Sequence, residues 1–156
     1  MTLHYALQHS VNTIAVQLAD AVGMRKVLNL ASSLGITTLD DSKDNNLAAA
    51  LGGLTNGVKP IDMAVAYGTL ANGGVKVKPV AITKIVDRNG QVVEENSTEE
   101  QRVVDPKYAY VITNMLESVM SGGTGGGASI GRPAAGKTGT TDESKDAWFV
   151  GIHLIW

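Results

Sequence analysis

The sequence predicts an α+β fold in which helices pack against an antiparallel sheet. Apolar residues recur at helical spacing in several segments, an Asn89-Gly90 pair separates two β-branched segments, and two strand-like segments lie near the end of the chain. A sequence of 156 residues without a repeat or an evident linker is expected to form a single domain.

The first third of the chain is predicted to be helical. An apolar stripe begins at Leu3 and continues at helical spacing to Gly23, which is a suitable C-terminal cap, although Ser10 and Asn12 interrupt it. A second helix is predicted over residues 24–34, and the polar segment after it is expected to form a surface loop.

The middle of the chain predicts a buried helix and a hairpin. Pro60 is placed at the first position of the helix, where a fixed φ and a missing N–H are tolerated. The residues that follow are mostly small and apolar, so we expect this helix to be deeply buried. Residues 80–87 and 91–95 are predicted to pair as a hairpin around the Asn-Gly turn.

The last third predicts one helix, a loop and two strands. Residues 107–121 have the apolar spacing of a helix, which Gly122 and Gly123 are expected to end. The glycine-rich residues 122–136 are predicted to be a flexible loop that leads into strands at 137–141 and 147–152.

Composition excludes several kinds of partner. The 13 basic and 15 acidic side chains give a net charge of −2, which provides no general attraction to nucleic acid or to an anionic membrane surface. Cysteine is absent, so disulfides and thiolate chemistry are excluded. No apolar segment approaches the roughly 20 residues that span a bilayer.

The sequence indicates no cofactor and no metal site. His4, His9 and His153 do not have the spacing of metal ligands. The aspartates within residues 40–44 lack the glycine and the terminal glutamate of a calcium-binding loop, so we expect them to be solvated.

Lys137 allows two interpretations. Residues 131–138 satisfy G-x-x-x-x-G-K-[ST], the pattern of a phosphate-binding loop. That loop requires a buried strand before its first glycine and a helix at its lysine. Here a glycine-rich segment precedes Gly131 and strand-like sequence follows Thr138, which argues against a nucleotide site.

On a strand, the same residues are suited to a carboxylate. Side chains alternate, so Lys137 and Gly139 face one way while Thr138 and Thr140 face the other, and Gly139 leaves room for a ligand backbone. An extended ligand added along this edge would have its carboxylate bound by an ammonium and hydroxyls. A surface strand with a solvated lysine remains the simpler alternative.

Several segments together resemble the C-terminal part of a penicillin-binding protein transpeptidase domain. That family carries S-x-x-K, an S-x-N type triad and K-T-G. Ser10-Val11-Asn12 matches the second motif and Lys137-Thr138-Gly139 the third, while residues 50–74 and the 85–93 hairpin are similar to the connecting sequence. "KTGTT" followed by "DAWFVG" most resembles the bifunctional class A, and the resemblance implies a partial penicillin-binding and serine β-lactamase-like fold.

The resemblance also implies residue roles. Ser10 would relay a proton, Asn12 would hold the substrate amide, and Lys137, Thr138 and Thr140 would bind the terminal carboxylate. Gly139 would allow the substrate to approach, and the Thr140 N–H would be an oxyanion donor. The catalytic residues are therefore predicted as Ser10, Lys137 and Thr140.

The implied ligands are peptidoglycan stem peptides ending in D-Ala-D-Ala and β-lactams. The implied activity is D,D-transpeptidation by serine acyl transfer. The implied location is the extracytoplasmic face of the bacterial cell membrane, with a single N-terminal helix as the anchor of the parent protein.

The sequence also departs from the family. No serine in it is followed three positions later by lysine, so the nucleophile motif is missing. We therefore expect residues 1–156 to be a partial transpeptidase domain, truncated at both ends, that is inactive alone and needs an upstream segment or self-association. A non-catalytic binding or assembly module of the same fold is the alternative.

Overall fold

The computed structural model describes residues 1–140 and 147–153. The helices are α1 Leu3–Gln8, α2 Asn12–Val22, α3 Met24–Leu34, α4 Pro60–Ala71 and α5 Pro106–Gly122. The strands are β1 Val75–Val77, β2 Lys84–Val86, β3 Val92–Glu95, β4 Glu100–Arg102, β5 Ala135–Thr140 and β6 Ala147–Ile152. Short 3₁₀ turns occupy Leu47–Leu51 and Gly126–Ala128. Helices with antiparallel strand pairs confirm the α+β prediction.

The first predicted helix is two helices separated by a turn. Ser10, with a φ of 55°, lies in the left-handed region and breaks the helix between α1 and α2. The Val11 N–H then donates to the Ala6 carbonyl at 2.9 Å, which closes the turn. The apolar stripe therefore predicted the helical residues correctly but as one helix, although Ser10, where the chain turns, is one of the two residues that interrupt the stripe.

Helix α4 begins at Pro60 as predicted, but the expectation that it is deeply buried was wrong. Ile61 is 54% exposed, and the buried positions of α4 are Asp62, Ala66 and Thr69. Asp62 accepts hydrogen bonds from the Thr37 N–H at 2.8 Å and the Thr37 hydroxyl at 2.7 Å. These bonds lower the pKa of the Asp62 carboxyl and tie the segment after α3 to the first turn of α4.

The aspartate-containing loop is also less solvated than predicted. Asp44 is only 1% exposed and accepts from the Asp40 N–H at 2.9 Å and from the Thr55 N–H and hydroxyl at 2.8 and 2.7 Å. The carboxylate therefore organises the loop by satisfying backbone donors. Among the described residues, no group of three or more acidic or histidine side chains is arranged to hold a metal.

The strands form three two-stranded antiparallel sheets. The predicted hairpin is the β2–β3 pair, although β2 covers only Lys84–Val86 of the predicted residues 80–87. The predicted terminal strands are the β5–β6 pair, and Thr141 of the first predicted strand lies outside the described residues. The β1–β4 pair was not predicted, because each strand has three residues and β4 is entirely polar. Short polar strands lack the alternation that identifies a half-buried strand in a sequence.

Ala19, Met24 and Leu28 form a buried hydrophobic cluster between α2 and α3, and a second set of buried side chains lies on α5 and β5. Ala109 and Val119 of α5 are completely buried, Leu116 is 3% exposed and Ala135 of β5 is also 3% exposed. A Cβ at Gly136 would lie 2.9 Å from the Met120 sulfur, so glycine permits this close crossing. No helix in the described part of the chain is long and apolar enough to cross a membrane.

The connection between α4 and β1 provides a test of the packing. Gly74 has a φ of +88°, and a Cβ there would lie 2.1 Å from the Val104 carbonyl oxygen, whereas Gly73 has a φ of +59° and open space around its Cβ position. Gly73→Ala should lower the free energy of unfolding by about 1–2 kcal/mol for the left-handed backbone alone. Gly74→Ala should lower it further, because the segment after β4 that contains Val104 must shift.

Urea unfolding followed by circular dichroism measures both variants. Equal losses for Gly73→Ala and Gly74→Ala would contradict the close approach of Gly74 to Val104.

Candidate carboxylate-binding site at Ser10 and Lys137

The fold brings Ser10 and Lys137 into contact across 127 positions of sequence. The Lys137 ammonium donates to the Ser10 hydroxyl at 2.8 Å and to the Thr138 carbonyl at 2.8 Å. Lys137 lies on β5 and is partly buried, while Ser10 lies in the exposed turn between α1 and α2. Two residues chosen from separate motifs therefore form one polar centre.

Ser10 adopts a backbone conformation that is unusual for a residue with a side chain. Its φ of 55° costs an L-residue roughly 1–2 kcal/mol relative to a right-handed conformation. The Ser10 N–H donates to the Leu7 carbonyl at 3.2 Å, and the Val11 bond to Ala6 closes the same turn. Strain of this kind, next to a polar contact, is characteristic of functional sites.

A cavity of about 600 Å³ opens beside this contact. Its polar residues include Ser10, Asn12, Lys137, Thr138 and Thr140, with Gly139 between the two threonines. Its apolar wall is formed by α1, α2, α5 and the 3₁₀ turn, through Leu3, Ala6, Leu7, Val11, Ile14, Ala15, Leu18, Ala50, Leu51, Val111, Ile112 and Met115. All the predicted site residues therefore line one cavity.

Strand β5 presents a free edge. It pairs with β6, with Lys137 opposite Val150 and Gly139 opposite Trp148, and in the described part of the chain it pairs with no other strand. Gly139 is exposed, and a Cβ there would meet the Trp148 Cβ at an ordinary 3.5 Å. Among the described residues, nothing would crowd a side chain at position 139, so the openness predicted for this strand comes from its unpaired edge and not from the glycine.

The Lys137 charge is not balanced by a described carboxylate. The salt bridges among residues 1–140 and 147–153 involve Lys43, Lys78 and Lys107. Burial lowers the pKa of the Lys137 ammonium below its ordinary value of 10.5. An anion bound here would favour the charged form and offset the cost of its desolvation.

One contact at the site was missed by the sequence. The Thr124 and Thr138 hydroxyl oxygens lie 2.6 Å apart, although Thr124 belongs to the segment predicted as a flexible loop. That segment contains the 3₁₀ turn Gly126–Ala128 and packs against the end of α1. No sequence pattern identifies Thr124, because its partner is set by the crossing of separate elements.

The phosphate-loop interpretation of residues 131–138 is wrong in its structural context. Lys137 and Thr138 lie within β5 and not at the start of a helix. The backbone N–H groups of a strand point alternately to its two sides, so they cannot converge on a phosphate as helix N-terminal groups do.

Comparisons with known proteins agree with this fold and these motifs. Residues 1–153 match the family model described as the penicillin binding protein transpeptidase domain. The chain is 45% identical over 153 residues to penicillin-binding protein 1A of Aquifex aeolicus, covering 97% of this chain and 20% of that protein. It is 35% identical to penicillin-binding protein 4 of Bacillus subtilis, covering 97% of this chain and 24% of that protein.

Solved structures are also similar. Penicillin-binding protein 1A of Haemophilus influenzae matches with a TM-score of 0.86 and 25% identity, over 97% of this chain and 28% of that one. The PonA1 protein of Mycobacterium tuberculosis, solved with penicillin V, matches with a TM-score of 0.82 and 30% identity, over 97% and 44%. The chain thus spans between about a fifth and less than half of the length of these relatives.

The environment of Lys137 makes a testable prediction. Because burial disfavours the charged ammonium, Lys137 should titrate below 10.5. Side-chain NMR of ¹³C-labelled lysine across pH 7–12 measures this, and the Lys137→Arg variant assigns the signal by its disappearance. A titration midpoint at or above 10.5 would contradict the partly buried position.

Proposed function

Because the chain belongs to the penicillin-binding protein transpeptidase family, we propose that residues 1–156 are part of a peptidoglycan D,D-transpeptidase domain. The site binds the terminal carboxylate of stem peptides that end in D-Ala-D-Ala. The observation that carries this proposal is the Lys137 ammonium, 2.8 Å from the Ser10 hydroxyl, beside a strand edge that is free among the described residues.

The substrate lies along β5 as an added strand. Main-chain hydrogen bonds to the free edge hold the peptide, and its terminal carboxylate meets Lys137, Thr138 and Thr140. Each charge-assisted hydrogen bond contributes on the order of 1.5–3 kcal/mol. Asn12, which also lines the cavity, holds the substrate amide.

The reaction is acyl transfer through a serine ester. A serine oxygen attacks the penultimate D-alanine carbonyl, and the C–N bond to the terminal D-alanine breaks. The attacking serine gives up its hydroxyl proton, and Ser10, hydrogen-bonded to Lys137, relays this proton to the nitrogen of the leaving amine. A second stem-peptide amine then attacks the ester, which releases the serine hydroxyl and forms the cross-link.

The carbonyl oxygen becomes negative in each of these steps. The Thr140 N–H is one donor to this oxyanion, a contact whose loss costs roughly 2.7–4 kcal/mol where it has been measured.

The attacking serine is supplied from outside residues 1–156. The family nucleophile is the serine of S-x-x-K, and no serine of this sequence has a lysine three positions later. The apolar wall of the cavity supports docking of the segment that carries this motif. Residues 1–156 alone therefore bind substrate without acyl transfer, and the non-catalytic binding module remains the second candidate.

β-Lactams occupy the same site. Their carboxylate is bound by Lys137 and the β5 hydroxyls in place of the peptide carboxylate. Since the polymer that is cross-linked lies outside the cytoplasm, the protein acts at the extracytoplasmic face of the bacterial cell membrane.

The carboxylate role is tested by titration calorimetry with diacetyl-Lys-D-Ala-D-Ala and with its C-terminal carboxamide. The carboxylate peptide should bind more tightly, and Lys137→Ala should weaken it by roughly ten- to a hundredfold, the loss of one charge-assisted hydrogen bond. Lys84→Ala, on the exposed β2–β3 hairpin, is the matched control and should change nothing. Equal affinity for the two peptides would overturn the proposal.

Binding should also depend on pH. The charged form of Lys137 binds the carboxylate, so affinity falls as the pH rises through the pKa of this lysine. Because burial lowers that pKa, the loss begins at a lower pH than an exposed lysine would give. The same titration repeated between pH 7 and 11 measures the decline, and affinity that is constant over this range would contradict the role of the ammonium.

The source of the nucleophile is tested by intact mass after incubation with a labelled penicillin. Residues 1–156 should carry no covalent adduct. A stoichiometric adduct on this chain would show that one of its own serines attacks, and peptide mapping would identify that serine.

A further inference from the structure

The closest hydroxyl contact at the site joins a cavity residue to a residue of the glycine-rich segment. The Thr138 and Thr124 oxygens are 2.6 Å apart. Thr138 lines the cavity, whereas Thr124 follows Gly123 at the end of α5 and is exposed. We propose that Thr124 is a positioning residue; this inference rests on the proposed function. The Thr124 hydroxyl donates its hydrogen to the Thr138 oxygen, and the Thr138 hydroxyl hydrogen is thereby directed towards the ligand carboxylate.

The direction of this hydrogen bond follows from the chemistry of the groups. A hydroxyl has one hydrogen to donate, while an ionised carboxylate can only accept. If Thr138 donated to Thr124, it would present only lone pairs to the carboxylate, and the contact would be repulsive. With the carboxylate bound, Thr124 therefore donates to Thr138 and Thr138 donates to the ligand. A chain of this kind strengthens each hydrogen bond through polarisation.

Thr124 is held in place by contacts with the end of α1. Its N–H donates to the Gln8 carbonyl at 3.4 Å, and the Gln8 side chain donates to the Ser118 carbonyl at 3.2 Å. A Cβ at Gly123 would lie 2.3 Å from the Gln8 carbonyl oxygen, so only glycine allows this approach. Gln8 therefore anchors the segment that presents Thr124.

These contacts close a ring around the site. Ser10 is hydrogen-bonded to Lys137, and Thr138 follows Lys137 on β5. Thr138 is hydrogen-bonded to Thr124, whose N–H is hydrogen-bonded to Gln8, two residues before Ser10. The Thr138 hydroxyl and the Lys137 ammonium are therefore held in position by the same connected set of contacts. Thr124 acts on the ligand through Thr138, without a contact of its own.

The ring of contacts predicts that Thr124 affects how strongly the site prefers a peptide carboxylate over the matching carboxamide. A carboxamide has its own N–H groups and can donate to Thr138, so it does not need the Thr124 hydrogen. Loss of the Thr124 hydroxyl should therefore weaken a carboxylate ligand more than the matching carboxamide. A purely structural change would weaken both equally.

The test is the ratio of affinities for diacetyl-Lys-D-Ala-D-Ala and its carboxamide, measured by calorimetry at pH 7. Thr124→Val, which keeps the shape but removes the hydroxyl, should lower this ratio by about three- to tenfold. Thr124→Ser, which keeps the hydroxyl, should retain it. In a Thr138→Val background, Thr124→Val should produce no additional change in the ratio.

Each result has a distinct meaning. An unchanged ratio in Thr124→Val, an equal weakening of both peptides, or an equal fall in Thr124→Ser would overturn the positioning role. An additional fall in the Thr138→Val background would show that Thr124 acts independently of Thr138 and would also overturn it. A wild-type ratio near one would instead refute the proposed function, so the two failures are distinguishable.

Discussion

The packing of α5 across β5 is the constraint on which the site depends. Val119 and Leu116 are buried at this crossing, and Gly136 lets the Met120 side chain approach the strand. Burial of these side chains removes a large apolar area from water, at roughly 25 cal/mol per Å². The crossing places Lys137, one residue beyond Gly136, at the rim of the core. Lys137 is consequently partly buried while still lining the cavity.

That position explains the electrostatics of Lys137. An exposed lysine would be fully hydrated and would gain little from binding a carboxylate, whereas a fully buried lysine would lose its charge. Lys137 lies between these limits, donates to two neutral oxygens and is paired with no described carboxylate. Part of the water around the Lys137 ammonium is already removed in the free protein. Binding an anionic ligand therefore removes less water from this group, and more of the charge interaction contributes to affinity.

Glycines and one strained serine allow separate elements to meet at this point. Ser10 turns the chain between α1 and α2 with a positive φ, and Gly123 brings the segment after α5 against the Gln8 carbonyl. Both local conformations are unfavourable or sterically restricted for ordinary residues. They persist because α1 packs on α5, because the Ser10–Lys137 contact joins the turn after α1 to β5, and because the Thr124–Thr138 contact joins the segment after α5 to the same strand.

The sequence by itself determined most of the helices, the β2–β3 hairpin, the strand character of Lys137-Thr138-Gly139 and the family. Periodicity, turn residues and short motifs encode these features locally, so they survive without knowledge of the fold. The exposure of Ile61, the burial of Asp44 and the β1–β4 pair were decided by tertiary structure, because each depends on which element lies alongside. The Thr124–Thr138 contact was decided in the same way. Sequence placed Ser10 and Lys137 in separate motifs, but only the crossing of α5 and β5 brought an ammonium and a hydroxyl within 2.8 Å.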